Sequence, residues 1–238
     1  MIHLRTWKLE SILKLFLWLF LCLGMGGSIL ALLDPGKGKE STSGLKFVMF
    51  LVGNLAFQGA ALFLIHWFLR DHKMGWREAF GWWDQQRFWA LRKAAITFMI
   101  ALPVAMWLGS ASAQCLEWFD IPAEPQTAVK TLQETSSWAQ RLYFGAVAIL
   151  LAPVVEEFLF RGVLFPSIRQ LGYPKFAFWG TSVLFGAFHG NLLTFVPLTF
   201  LAVLLTGLYE RTGVLLAPML AHSLFNAANF AWLLVMDS

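Results

Sequence analysis

Seven stretches of the chain, over residues 12–33, 46–69, 94–119, 142–165, 174–190, 192–209 and 214–236, are almost without charge. Most approach the ~20 residues that a helix needs to cross a hydrocarbon core; the fifth and sixth are short. The connection DPGKGKESTSG at 34–44 is polar and glycine-rich, which predicts a loop. A longer connection, RDHKMGWREAFGWWDQQRFWALRK at 70–93, interleaves Trp76, Phe80, Trp83 and Trp89 with Arg77, Glu78, Asp84, Gln85 and Arg87. That mixture suits a helix lying in the headgroup layer. The pattern therefore predicts an all-α fold, a polytopic membrane bundle of about seven transmembrane helices plus one interfacial amphipathic helix.

Composition agrees. Of 238 residues, 58% are hydrophobic and 13% charged, against about 25% charged in a soluble domain. The net charge of +4 does not mark a nucleic-acid partner, because the cations lie between apolar spans and form no long basic run. They report topology instead. With the N-terminus in the cytoplasm, Arg5, Lys8, Lys14, Arg70, Lys73, Arg77, Arg87, Arg92, Lys93, Arg161, Arg169, Lys175 and Arg211 fall on the inner side, and Lys37, Lys39, Lys46, Lys130 and Arg141 on the outer. Thirteen against five predicts a multi-pass cell-membrane protein with its N-terminus inside and Ser238 outside. The apolar core from Ile12 to Leu33 is too long for a cleaved signal and reads as an anchor. Cys22 and Cys115 stand in different spans with no CxxC spacing, so neither a disulfide framework nor a zinc knuckle is expected.

The fourth stretch breaks its own rule. PVVEEFLFRG at 153–162 places Glu156, Glu157 and Arg161 inside an apolar span, where each charge costs roughly 2.5 to 3.5 kcal/mol to insert. Glu157 and Arg161 are four residues apart, glutamate first, so on a helix they can pair. Glu156 is turned about 100° away and must find another neighbour. Two further polar clusters lie in apolar helices: His189 at the end of FGAFHGN, flanked by Gly186 and Gly190, and His222, Asn226 and Asn229 at i, i+4 and i+7 of LAHSLFNAANF. Such residues hold helices together by hydrogen bonds in many membrane proteins, and intramembrane Glu, His and Arg also serve transporters and proton relays. Transporters are commonly built from paired repeats, whereas here the polar residues gather in the second half. A carboxylate, two imidazoles and an amide are also the parts of a hydrolase.

EEFLFR (156–161), FGAFH (185–189) and HSLFN (222–226) resemble the EExxxR, FxxxH and HxxxN motifs of the CPBP/Abi intramembrane proteases, a family that includes the type II CAAX prenyl endopeptidases. GLYERTGVLLAPMLAH (207–222) resembles the lead-in to the last motif, so the resemblance covers residues 142 to 230. It implies two regions, N-terminal transmembrane and interfacial helices over 1–141 and a catalytic helical core over 142–238. It also implies an endopeptidase acting on a membrane-associated protein or peptide in the lipid bilayer, prenylated CAAX proteins and peptide tails being the options. On this resemblance Glu156 and His189 activate water and His222 and Asn226 hold the oxyanion, while Glu157 and Arg161 form a supporting ion pair and Arg161 can meet a substrate carboxylate. Spacing leaves open which glutamate is the base. A metal-free mechanism without a cofactor is favoured; a zinc ion on Glu156, His189 and His222 is the alternative. The same resemblance admits a non-proteolytic member that acts by binding, as in bacteriocin self-immunity.

Overall fold

A computed structural model describes residues 6–33, 43–81, 87–135 and 137–236. Trp83, Asp84 and Gln85, the loop 34–42 and Ser238 lie outside them. Among the described residues the chain is helical and without strands: α1 (Leu9–Leu33), α2 (Ser43–Asp71), α3 (Trp76–Phe80), α4 (Arg87–Trp118), α5 (Thr127–Gln133), α6 (Trp138–Gln170), α7 (Pro174–Phe188), α8 (Leu192–Thr212) and α9 (Leu216–Met236). The protein is an all-α membrane helical bundle.

Six helices, α1, α2, α4, α6, α8 and α9, are long and apolar enough to span a membrane. The fifth apolar stretch gives only α7, of 15 residues, about 22 Å at 1.5 Å per residue against a core of ~30 Å. It nevertheless runs from one end of the bundle to the other. At one end, the Trp7 backbone N–H donates to Gln170 Oε1 at 2.9 Å and Gln170 Nε2 donates back to the Trp7 carbonyl at 2.9 Å. There too Lys8 N–H donates to His72 Nε2 at 3.1 Å, and Arg169 pairs with Glu210. At the opposite end, Asn191 Nδ2 donates to the Glu124 carbonyl at 2.8 Å and Gln126 Nε2 to Thr194 Oγ1 at 2.9 Å. The segment 171–173 before α7 lies at the first end and 189–191 after it at the second.

Two local signals stop α7 short. Gly190 takes φ +59°, a left-handed turn that glycine adopts freely. Asn191 then caps α8, its side chain accepting the Thr194 N–H at 3.0 Å, the usual N-cap bond. At the first end, Gly213 (φ +66°) closes α8 and returns the chain into α9.

Lipid gives no hydrophobic force between helices, so small residues and close approach must hold them. Ala90, Ala94, Ala101 and Ala105 form a buried line along α4 that packs on Leu201 and Leu205 of α8 and Ala217 and Ala221 of α9. Gly186 of α7 lies so close to Phe195 and Thr199 of α8 that a methyl group there would strike both. Large apolar side chains such as Leu13, Phe20, Phe63, Met99 and Trp107 are exposed on the outer surface, as lipid-facing residues should be. Of the segment expected in the headgroup layer, α3 is five residues long. Its Trp76 turns inward, with its ring 6.0 Å from that of Phe158 and its Nε1 donating to His66 Nδ1 at 3.0 Å. Trp89 belongs to α4.

Candidate active site

The site begins with two prolines. In α6, Val147–Leu151 and Phe158–Leu164 wind as π-helix, with Ala152 N–H bonding the Val147 carbonyl five residues back. The next donor in that register would be residue 153, but Pro153 has no N–H. The Ala148 carbonyl is therefore free, and Asn226 Nδ2 of α9 donates to it at 2.8 Å. Further along, Pro166 cannot serve the Gly162 carbonyl in the α-helical register. That carbonyl receives Trp7 Nε1 at 2.8 Å. Each break in the ladder becomes a bond between distant segments, and α6 is wound loosely on both sides of Glu156 and Glu157, a common feature of functional sites.

Behind the cavity lies a buried charge network. Glu157 is 0% exposed and Arg161 1%. Arg161 Nη1 donates to Glu157 Oε1 at 2.8 Å, Nη2 to the Ala202 carbonyl at 3.0 Å and Nε to Thr206 Oγ1 at 3.3 Å, while the Phe185 ring lies 4.8 Å from its Cζ. The predicted i, i+4 pair is present. Its burial takes Arg161 out of the loop cations, so the charge bias becomes twelve against five. It also removes the guanidinium from any direct encounter with a substrate carboxylate.

His222 stands between the two glutamates. Its Nδ1 is 2.9 Å from Glu157 Oε1 and its Nε2 3.9 Å from Glu156 Oε2, beyond direct hydrogen-bond reach. The Glu156 side chain is 25% exposed, and its Oε2 is buried without a hydrogen-bond partner. His189 Nδ1 faces the Phe185 carbonyl at 2.8 Å. A carbonyl only accepts, so the neutral ring carries its proton on Nδ1 and a lone pair on Nε2.

Glu156, His189, His222 and Asn226 line one cavity of about 190 Å³. Asn229 lines it too, with its amide returned to the Phe225 carbonyl of its own helix at 2.9 Å. An outer vestibule of about 390 Å³, bordered by Glu124, Gln126, Lys130 and Asn191, shares His189 and Gln126 with it. On the other flank an apolar cavity of about 300 Å³ between Phe16, Leu19, Phe20, Leu159 and Phe188 touches Glu156. Among the described residues no three His, Cys, Asp or Glu side chains converge as a metal site; the three candidate ligands line the cavity without forming one. Thr206, the Ala202 carbonyl, Trp7 and Gln126 carry no signal in the sequence that ties them to the motifs. Pro153 and Pro166, interrupting an apolar span, are the readable one.

Residues 138–228 match the family described as "Type II CAAX prenyl endopeptidase Rce1-like". Similar proteins include Uncharacterized protein YpbD of Bacillus subtilis (strain 168), 38% identical over 82 residues, 33% of this chain and 39% of that one. "Putative membrane peptidase YdiL" of the same organism is 30% identical over 80 residues, 34% of this chain and 33% of that one. UPF0177 protein YaiF of Lactococcus lactis subsp. lactis (strain IL1403) is 32% identical over 93 residues, 37% of this chain and 39% of that one. The chain thus matches 33 to 39% of the length of these relatives. No solved structure matches it. The motifs and the helices that carry them coincide with the stretch, residues 138–228, over which the chain is similar to the type II CAAX prenyl endopeptidase Rce1-like family.

Proposed function

We propose that the protein is an intramembrane endopeptidase that hydrolyses a peptide bond of a membrane-associated substrate with water activated by Glu156 and His189. The observation that carries this reading is Glu156 itself: its side chain is 25% exposed, its Oε2 has no hydrogen-bond partner, and it lines a cavity with two histidines and an asparagine. Glu157, fully buried and paired with Arg161, has a positioning role. Glu156 is the base.

Water between Glu156 and His189 gives a proton to the carboxylate as its oxygen bonds to the substrate carbonyl carbon. The oxyanion that forms accepts from His222 Nε2–H and from the second N–H of the Asn226 amide, the first being held by Ala148. To donate there His222 carries a proton on Nε2 as well as the one that Nδ1 directs at Glu157. As the C–N bond breaks, the proton passes to the departing nitrogen.

The substrate reaches the site from lipid, an assignment supported by the apolar cavity against Glu156. Prenylated CAAX-type proteins and other membrane-held peptide tails are the classes that the family relationship suggests. The Trp7 end, with most of the Lys and Arg residues, faces the cytoplasm, and the C-terminus faces outside. Comparing membrane-proteome termini in cells carrying wild-type protein or Glu156→Gln tests the activity. Peptide ends present with the wild type and missing with the mutant are expected; identical sets would overturn the proteolytic reading.

A further inference from the structure

Among the described residues the catalytic cavity is open at one of the two ends of the bundle. Its vestibule is formed by 122–130 and 189–193, the end where Asn191 bonds Glu124 and Gln126 bonds Thr194. Toward the other end the described residues seal it: Phe158, Val163 and Phe165 are each no more than 1% exposed, and the Trp7 indole closes over Gly162.

The two ends differ in charge. Among the described residues the sealed end carries Lys8, Lys14, Arg70, Lys73, Arg77, Arg87, Arg92, Lys93, Arg169, Lys175 and Arg211 against Glu10, Asp71, Glu78 and Glu210, while the open end carries Lys46, Lys130 and Arg141 alongside Glu117, Asp120, Glu124 and Glu134. Lys and Arg near the ends of spans decide orientation, and acidic residues contribute little. The basic end belongs in the cytoplasm. We infer that the catalytic cavity opens to the extracytoplasmic face, and that its substrates are peptide segments of exported, membrane-held proteins. Cytoplasmic C-terminal tails, prenylated CAAX-type tails among them, would meet the sealed end, so of the two classes named above this inference keeps the membrane-held peptides. The substrate class rests on the proteolytic reading above; the direction of opening does not.

The vestibule's aqueous side can be read without activity. In a Cys22→Ser, Cys115→Ser background, Thr127→Cys places a thiol at the exposed rim and Tyr173→Cys one at the exposed sealed end. Whole cells are treated with a membrane-impermeant maleimide before and after permeabilisation. Thr127→Cys is expected to label fully in intact cells, and Tyr173→Cys only once the membrane is opened. Any other pattern in intact cells, whether Tyr173→Cys labels or Thr127→Cys stays silent, overturns the inference. A second arm maps the termini lost with Glu156→Gln onto the membrane sidedness of their parent proteins. All should fall in extracytoplasmic segments, and ends in cytoplasmic tails would overturn the substrate class. External labelling of Thr127→Cys with unchanged termini would remove the proteolytic reading and its substrate class together, and leave the opening standing.

Discussion

Two glutamate–cation pairs in this chain share one spacing and almost nothing else. Glu157–Arg161 in the middle of α6 and Glu10–Lys14 at the start of α1 are both i, i+4 with glutamate first. The side chains of the former are 0% and 1% exposed, those of the latter 77% and 55%. In α1, water or headgroups can replace either partner, so the pair is optional. In α6 nothing can, and the structure surrounds Arg161 with Thr206, the Ala202 carbonyl and the Phe185 ring while Glu157 also faces His222. The spacing makes a pair possible in both places, and burial decides whether it matters. Glu156, one residue away, sharpens the contrast by sharing the span without a hydrogen bond to its Oε2.

The largest expected effect lies there. Glu156→Gln and His189→Ala should each lower kcat by about 10²- to 10⁴-fold, the range of a general base, with folded yield and thermal unfolding unchanged. Glu156→Gln keeps the side chain's shape, and the His189 ring, though it touches Phe185, is only half-buried. Unfolding of either purified variant would show that the cavity-facing groups are structural after all, and the contrast with Glu157 would collapse.

Glu157→Gln comes next, in the opposite quantity. Breaking a buried pair by removing one partner costs roughly 3 to 5 kcal/mol, so monodisperse protein in detergent should fall sharply. Glu157→Leu with Arg161→Met removes both charges, and such replacement is often neutral or stabilising. That double variant should fold and still be inactive, since His222 loses the carboxylate at Nδ1. Recovery of activity with folding would reduce Glu157 to a structural residue.

Asn226→Ala follows, as loss of one oxyanion donor: about 10²- to 10³-fold in kcat, or roughly 2.7 to 4 kcal/mol, with little change in KM. Because its amide also serves the Ala148 carbonyl, some stability should go with it; an orphaned buried group costs about 1 to 3 kcal/mol. Zinc analysis of the wild-type preparation belongs beside this measurement. One zinc per chain, with activity lost on chelation and restored by zinc, would replace the scheme with a metal site on Glu156, His189 and His222, and would make Asn226→Ala milder.

How much of this was readable beforehand follows the range of each interaction. The Glu157–Arg161 pair and the His222–Asn226 stripe lie within one helix turn, so spacing alone exposed them. The helical class and most spans followed from apolar runs. The short fifth stretch, 174–190, is α7 (Pro174–Phe188), which crosses the bundle although it is shorter than a full span, and the Gly190 turn and the Asn191 cap close it where the apolar run ends. The partners of the freed carbonyls were hidden for a different reason. Trp7 is 155 positions from Gly162 and Asn226 is 78 from Ala148, and only packing brings them together. The same holds for the choice between the glutamates: Glu156 and Glu157 are adjacent in sequence, and their difference appears only when α8 and α9 close over one of them.

The smallest effects should come from the exposed pairs. Glu10→Gln removes the partner of Lys14 and should leave folded yield and activity unchanged within error, since both groups return to water. Glu124→Gln is the more searching test, because Glu124 borders the vestibule and pairs with Lys130 at 2.5 Å while the two remain 66% and 44% exposed. The hydrogen bond and charge of Lys130 hold the Glu124 carboxyl below its ordinary range. A lowered folded pKa contributes stability that is complete above the unfolded value, near 4.3, and is lost only as pH falls through the lowered one. Between about pH 5 and 8 the pair is therefore constant, and the pH profile of kcat/KM should be the same for wild type and Glu124→Gln. Raising salt should change neither, since screening acts on an exposed pair that carries little to begin with. A shifted profile in Glu124→Gln would mean that the vestibule charge reaches Glu156 and His189, and the line between the buried and the exposed carboxylates would have to be redrawn to include the mouth.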